Sequence, residues 1–242
     1  MDLVLSMAIW WTPVALLLLT LQLSGKGAIA WGWLAAAIVA FALYSAAIFY
    51  APDIPGFPRI EGAQYNWTGK ITAILVTLAM MAVAIRSSKW MSRQNLGLTL
   101  RQNEGSLLPA ALATGAMVAF VAFLQLVFAQ DGSQADPETL AYQATIPGLD
   151  EELTFRGLLL ALLAAACSRI EHGWRWAGIA VTIIFAFGHS FFMSADGPQF
   201  DPIALFYVTV LGGLMMFIRL RTGSILIPIL AHNLTNVVNK LL

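Results

Sequence analysis

Charged side chains are scarce in this chain of 242 residues: Asp, Glu, Lys and Arg make up 11% of it, against about 25% in an average soluble domain. Thirteen basic and thirteen acidic residues balance, so the chain lacks the basic excess of nucleic-acid-binding proteins and we expect no nucleic-acid partner. A single cysteine, Cys167, excludes an internal disulfide and a cysteine-based metal site.

Apolar residues take the place of the missing charges: they make up 59% of the chain, and the mean hydropathy is +0.77. Apolar runs recur along the whole length, and each is close to the roughly 20 residues that a helix needs to cross a hydrocarbon core. The runs are continuous and lack the alternation typical of membrane barrel strands. The sequence therefore predicts an all-α fold, a polytopic transmembrane helical bundle that forms one integral membrane domain over residues 1–242, with the lipid bilayer as partner.

Eight segments are predicted to cross the membrane. The four within residues 1–128 contain almost no ionisable side chains between their ends, whereas the four within residues 149–242 carry the charged motifs described below. Residues 131–146 are acidic at first, and we expect any short helix there to end at Pro147 and Gly148. The predicted spans lie near residues 3–23, 28–50, 70–86, 107–128, 149–168, 175–194, 202–219 and 224–242.

The basic residues predict an orientation, because lysine and arginine are retained on the cytoplasmic side of a membrane. When successive loops are assigned to alternate sides, nine basic residues fall on one side and three on the other, with Arg156 inside a span. We therefore expect a multi-pass protein of a prokaryotic plasma membrane with both termini outside the cytoplasm. The nine are Lys26, Arg86, Lys89, Arg93, Arg101, Arg169, Arg175, Arg219 and Arg221, and the three are Arg59, Lys70 and Lys240.

Five ionisable residues lie inside the last four spans. A charge within a span costs about 2.5–3.5 kcal/mol on insertion scales and usually marks a functional site. The alternative is a buried ion pair that only holds helices together, and this alternative is strongest for Arg156. The five residues are Glu151, Glu152, Arg156, His189 and His232.

Helical spacing separates the two adjacent glutamates. Glu152 and Arg156 are four positions apart and share a helix face, so we expect them to pair. Glu151 points about 100° away and is expected to have no partner. Because it follows Pro147 and Gly148 closely, it is predicted to lie in the first turn of its helix, ionised and able to act as a general base.

Two further motifs follow the same spacing: Phe185 with His189, and His232 with Asn236. Adjacent spans run antiparallel, so Glu151 near the start of one and His189 near the end of the next share a membrane level. His232 and Asn236 lie about 12 and 18 Å into the last span, which reaches the same half of the membrane. The three motifs are therefore predicted to converge on one layer.

In chain order the motifs are Glu-Glu-x-x-x-Arg, Phe-x-x-x-His and His-x-x-x-Asn. Together they resemble the signature of the CAAX prenyl protease and bacteriocin-processing family, also called the CPBP or Abi family. The resemblance covers about residues 147–240, and the first half of the chain resembles the family in its hydropathy.

The resemblance implies a glutamate-type intramembrane endopeptidase that needs no metal, acting on a protein or peptide in or at the membrane. The residue matching Glu151, helped by the one matching His189, would activate a water for attack on the peptide carbonyl. Those matching His232 and Asn236 would stabilise the oxyanion. A base, an orienting imidazole and two hydrogen-bond donors are also what amide hydrolysis requires chemically. The supporting residues are Glu152, Arg156 and Phe185.

Three alternatives remain open on the same residues. One is a zinc-dependent peptidase, since a carboxylate and two histidines can ligate zinc. Another is a proton-coupled transporter that uses Glu151 and the histidines as a relay, although transporters commonly contain two related halves and the ionisable residues here occupy one half. The third is an inactive relative that acts as an immunity or scaffold protein. A prenylated peptide, a secreted peptide precursor and an anchored surface protein all remain possible substrates.

Overall fold

The computed structural model describes residues 1–25, 27–128 and 135–242, so Lys26 and the beginning of the acidic segment lie outside the described residues. The described part of the chain is a bundle of helices with one small hairpin, which confirms the predicted all-α class. The helices are α1 (Leu3–Leu23), α2 (Trp31–Tyr50), α3 (Trp67–Ser87), α4 (Leu107–Phe128), α5 (Pro137–Gln143), α6 (Ile146–Glu151), α7 (Leu160–Ala166), α8 (Gly173–Ser190), α9 (Pro202–Thr222) and α10 (Leu226–Leu241); a π-helix (Glu152–Leu159) joins α6 to α7, a 3-10 turn (Ala51–Asp53) follows α2, and the strands are β1 (Phe191–Ser194) and β2 (Gly197–Phe200).

Among the described helices, α1, α2 with its 3-10 turn, α3, α4 and α9 are long and apolar enough to cross a membrane. Large apolar side chains such as Val4, Leu126 and Ile203 point outward and are about three-quarters exposed. An apolar exterior of this extent is suited to lipid rather than to water. The protein is therefore an integral membrane protein. The remaining long segments carry the charged motifs, and the count of eight spans stays a prediction.

The segment with the paired glutamates lies at the centre of the bundle. Every residue from Asp150 to Cys167 is buried, and this stretch packs against α2, α3, α8 and α10. Its middle part, the π-helix, has wider turns than an α-helix, a feature that often occurs at functional sites. The fold thus surrounds the first motif with helices from both halves of the chain.

The beginning of this central segment differs from the prediction. Pro147 and Gly148 do not stop a helix; they lie in the first turn of α6, which begins at Ile146. Proline suits that position because the first N–H groups of a helix have no intrahelical acceptor. Glu151 is consequently the last residue of α6, and its expected place in the first helical turn was wrong.

The predicted span over residues 175–194 also ends early. Helix α8 stops at Ser190, and β1 then pairs antiparallel with β2, with Ser194 opposite Gly197. Gly197 has φ +103°, a conformation that glycine adopts without strain. The dipeptide Asp196-Gly197 is a common hairpin signal, but the apolar residues before it resemble the continuation of a span.

Candidate active site

The two oxygens of the Glu151 carboxylate face different partners. Oε1 accepts a hydrogen bond of 2.7 Å from Nζ of Lys70, which also binds Oδ2 of Asp150 at 2.7 Å. The same Asp150 oxygen accepts a hydrogen bond of 2.9 Å from the Tyr44 hydroxyl. The expectation that Glu151 has no partner was therefore wrong. Lys70, which was counted with the loop charges although it begins the predicted span 70–86, lies in α3 and joins two neighbouring carboxylates.

The second oxygen of Glu151 faces two imidazoles. Oε2 lies 3.8 Å from Nε2 of His189 and 3.9 Å from Nε2 of His232. Both distances are too long for direct hydrogen bonds, but they exceed the usual hydrogen-bond length by less than about 1 Å. The structure thus brings together one residue from each of the three motifs, which are carried by α6, α8 and α10.

The Nδ1 atom of each imidazole contacts a hydrogen-bond acceptor. Nδ1 of His189 lies 2.7 Å from the Phe185 carbonyl, and Nδ1 of His232 lies 2.9 Å from Oε1 of Glu152. A carbonyl oxygen only accepts, so Nδ1 of His189 is the donor and a neutral ring has its lone pair on Nε2. The Glu152 carboxylate favours the same tautomer for His232. When both rings are neutral, two imidazole lone pairs and one carboxylate oxygen therefore point toward the same small region, an arrangement that suits a water molecule as donor.

Glu152 and Arg156 form the predicted pair. Their side chains are fully buried, with Nη1 of Arg156 3.1 Å from Oε1 of Glu152, and this prediction is confirmed. Nη2 donates to the Gly212 carbonyl at 3.0 Å, and the guanidinium lies 4.3 Å from the centre of the Phe185 ring. Because Oε1 of Glu152 accepts from both Arg156 and His232, this pair holds the imidazole of His232 in place.

Phe185 connects the buried pair to the second histidine. Its ring lies 4.5 Å from that of His189 and packs edge-on against Phe155 at 4.9 Å. A Cβ atom on Gly212 would come within 3.1 Å of the Phe185 ring, so glycine at that position lets α9 approach closely. The aromatic ring therefore supports His189 from the side facing the core.

A cavity of about 280 Å³ is lined by the four residues that are expected to be catalytic. Asn236 lines its wall, one turn beyond His232 on α10. A second cavity of about 220 Å³ lies on the other side of Lys70, Glu151 and His189, toward α1 and α2. The carboxylate of Glu151 therefore borders two spaces. The lining of the first cavity includes Glu151, His189, His232, Asn236, Tyr142 and Tyr207.

Sequence reasoning missed four polar residues around this cluster. Asn233 accepts a hydrogen bond of 2.8 Å from the Gly148 amide and so fixes the start of α6. Tyr44, Lys70 and Asp150 form the network on Oε1 of Glu151. One signal was available: three consecutive carboxylates in an apolar segment require a nearby cation. The network also brings α2 and α3, from the half of the chain without motifs, into the site.

The described residues contain no group of three or more His, Cys, Asp or Glu side chains arranged to hold a metal ion.

Comparison with known families gives one match. Residues 134–238 match the family model described as type II CAAX prenyl endopeptidase Rce1-like. Comparison with curated proteins finds no match, and neither does comparison with solved structures. The matched region contains all three motifs, whereas Tyr44 and Lys70 lie outside it. The resemblance seen in the motifs is thereby confirmed over residues 134–238, which are similar to the Rce1-like type II CAAX prenyl endopeptidases.

Proposed function

We propose that this protein is an intramembrane endopeptidase in which Glu151 activates a water to hydrolyse a peptide bond. The observation that carries the proposal is the convergence of Oε2 of Glu151 with Nε2 of His189 and Nε2 of His232 beside a cavity. A carboxylate that is fixed by Lys70 on one oxygen and free on the other is suited to accept a proton.

In the proposed reaction, water loses a proton to Oε2 of Glu151 while its oxygen attacks the carbonyl carbon. His189 orients the water by accepting its second hydrogen at Nε2. The carbonyl oxygen becomes an oxyanion and receives hydrogen bonds from the side-chain amide of Asn236 and from His232. Since Nδ1 of His232 is committed to Glu152, a neutral ring has a lone pair on Nε2 and cannot donate to the oxyanion. In the proposed reaction His232 is therefore doubly protonated, donates from Nε2 and keeps both protons throughout.

Collapse of the tetrahedral intermediate breaks the carbon–nitrogen bond. The proton held by Glu151 passes to the leaving amine, so the carboxylate returns to its initial state. No group other than water and the peptide is consumed. Every residue of the site thereby returns to its initial protonation state.

The site is proposed to face away from the cytoplasm. The structure removes two residues from the loop count, since Lys70 binds carboxylates inside α3 and Arg219 is buried with hydrogen bonds to the carbonyls of Arg156 and Asn95. The bias then becomes eight basic residues against two, in the same direction. With both termini outside the cytoplasm of a prokaryotic plasma membrane, the cluster lies in the outer half, which favours an exported or membrane-associated substrate.

Comparative membrane proteomics tests the proposed activity. Cells that contain Glu151→Ala should accumulate at least one uncleaved protein relative to cells with the wild type. Glu171→Ala, which changes a highly exposed carboxylate, is the matched control and should leave the pattern unchanged. The accumulated protein would show whether the substrate is prenylated, secreted or anchored. If no protein accumulates in Glu151→Ala cells, the proposed peptidase function is wrong.

A zinc peptidase on the same residues is the second candidate. The observation that favours it is that Nδ1 of each histidine is held by an oxygen acceptor, as is usual for metal-binding histidines. Lys70 argues against it, because an ammonium 2.7 Å from Glu151 places a positive charge beside the position that a cation would occupy. We therefore propose the metal-free reaction.

A further inference from the structure

Lys70 is the cation closest to the proposed base, and it comes from α3, outside the region that matches the endopeptidase family. Its side chain is 15% exposed and lines both cavities. Its Nζ binds Oε1 of Glu151 and Oδ2 of Asp150 at equal distances of 2.7 Å. Neither the three motifs nor the matched region assigns a role to this residue.

The first consequence of this contact is geometric. A carboxylate can rotate and exchange its two oxygens, but Lys70 holds one of them. With Oε1 of Glu151 engaged, Oε2 is the oxygen that faces His189 and His232. Lys70 thereby selects the oxygen that meets the water.

The second consequence concerns charge. Asp150 is completely buried beside Glu151, and both carboxylates contact the same ammonium. Two buried carboxylates without a cation between them repel, and one of them then takes up a proton. A protonated Glu151 cannot act as a base. Lys70 offsets the charge that Asp150 adds.

We propose that Lys70 is a positioning residue that aims Oε2 of Glu151 at the water and keeps this carboxylate ionised next to Asp150. Tyr44 is part of the same hydrogen-bond network, since its hydroxyl donates to the Asp150 oxygen that binds Lys70. The inference rests on the proposed peptidase function, because it assigns Lys70 a task only if Glu151 is the base.

The competing explanation is that Lys70 only holds α3 and α6 together. The two explanations give the charge of Asp150 different roles, and this difference can be tested. If Lys70 only joins helices, removing Asp150 as well should add to the damage. If it neutralises Asp150, then replacing Asp150 by asparagine in a protein without the lysine should restore activity. In the double variant Glu151 is the remaining carboxylate of the two that contact Lys70, with an amide beside it.

The experiment measures kcat and KM in detergent with a quenched fluorescent peptide that spans the cleavage site found by the proteomics. Lys70→Met should lower kcat by about 10²-fold, the lower range of a general base's contribution, with KM changed less than about threefold. Lys70→Met/Asp150→Asn should return kcat to within about tenfold of the wild type. Lys70→Arg, which keeps the charge, should retain more activity than Lys70→Met. The exposed Lys89→Met is the control and should behave like the wild type.

Two results would overturn the inference: a Lys70→Met enzyme with wild-type kcat, or a well-folded double variant no more active than Lys70→Met. If Lys70→Met is not recovered folded, the double variant is compared with the wild type directly, and a folded but inactive double variant overturns the inference. Glu151→Gln separates this failure from that of the proposed function. Full activity of Glu151→Gln removes Glu151 as the base, whereas an inactive Glu151→Gln beside a fully active Lys70→Met removes the role of Lys70 alone.

Discussion

Replacing Arg156 by alanine should destabilise the protein strongly, because its guanidinium makes three buried interactions. It pairs with Glu152 at 3.1 Å, donates to the Gly212 carbonyl at 3.0 Å and lies 4.3 Å from the centre of the Phe185 ring. Removing one partner of a buried ion pair costs about 3–5 kcal/mol, since the other charge stays buried without it. The carbonyl hydrogen bond and the ring contact belong to the same loss and are not added to it.

For a chain of this size, about 3–5 kcal/mol corresponds to a fall in Tm of about 6–20 °C. Thermal unfolding of purified Arg156→Ala in detergent measures this fall. Arg175→Ala, which changes an exposed arginine on α8, is the control and should stay within about 2 °C of the wild type. Adding Glu152→Gln to Arg156→Ala should recover part of the stability, because the amide carries no charge and still accepts a hydrogen bond from His232. A fully active Arg156→Ala protein with an unchanged Tm would refute the reasoning.

The remaining predictions concern catalysis and orientation. Glu151→Gln should abolish cleavage without lowering Tm much, since the side chains have nearly the same shape; normal cleavage would exclude Glu151 as the base. His232→Ala and Asn236→Ala should each lower kcat about 10²–10³-fold with little change in KM, whereas a transporter would tolerate the loss of the non-titrating Asn236. Activity should survive dialysis against a strong chelator, and inhibition reversed specifically by zinc would favour the metallopeptidase. In a variant without the native cysteine, a single cysteine within residues 195–201 should react with an impermeant maleimide in intact cells. Labelling from outside at residues 86–101 instead would mean that the orientation is inverted.

Hydropathy and four-residue spacing were sufficient to predict much of this protein. Continuous apolar runs marked the long helices, and the spacing of Glu152 and Arg156 predicted their pair correctly. Local patterns predict such features because the partners lie on neighbouring turns of one helix. The antiparallel alternation of the spans also placed His189 and His232 at the membrane level of Glu151.

The parts that were missed depend on contacts between distant segments or on ambiguous local signals. Lys70 meets Glu151 across 81 positions of the sequence, a pairing that no local spacing reveals. The π-helix has no sequence signature of its own, since its residues would also fit an α-helix. Pro147 is compatible with both the end and the first turn of a helix, and the amide that follows it is bound by Asn233, which lies 85 positions away in the sequence.

The contact between Lys70 and Asp150 also has an evolutionary consequence. Asp150 is costly inside a membrane without Lys70, so losing the lysine first passes through an intermediate with an uncompensated buried charge, whereas losing Asp150 first leaves Lys70 paired with Glu151. Lineages should therefore lose the aspartate before the lysine or together with it, and a relative with a neutral residue in the place of Asp150 has less need for the lysine. Covariation between α3 and α6 would then distinguish the relatives that hold this glutamate in the same way.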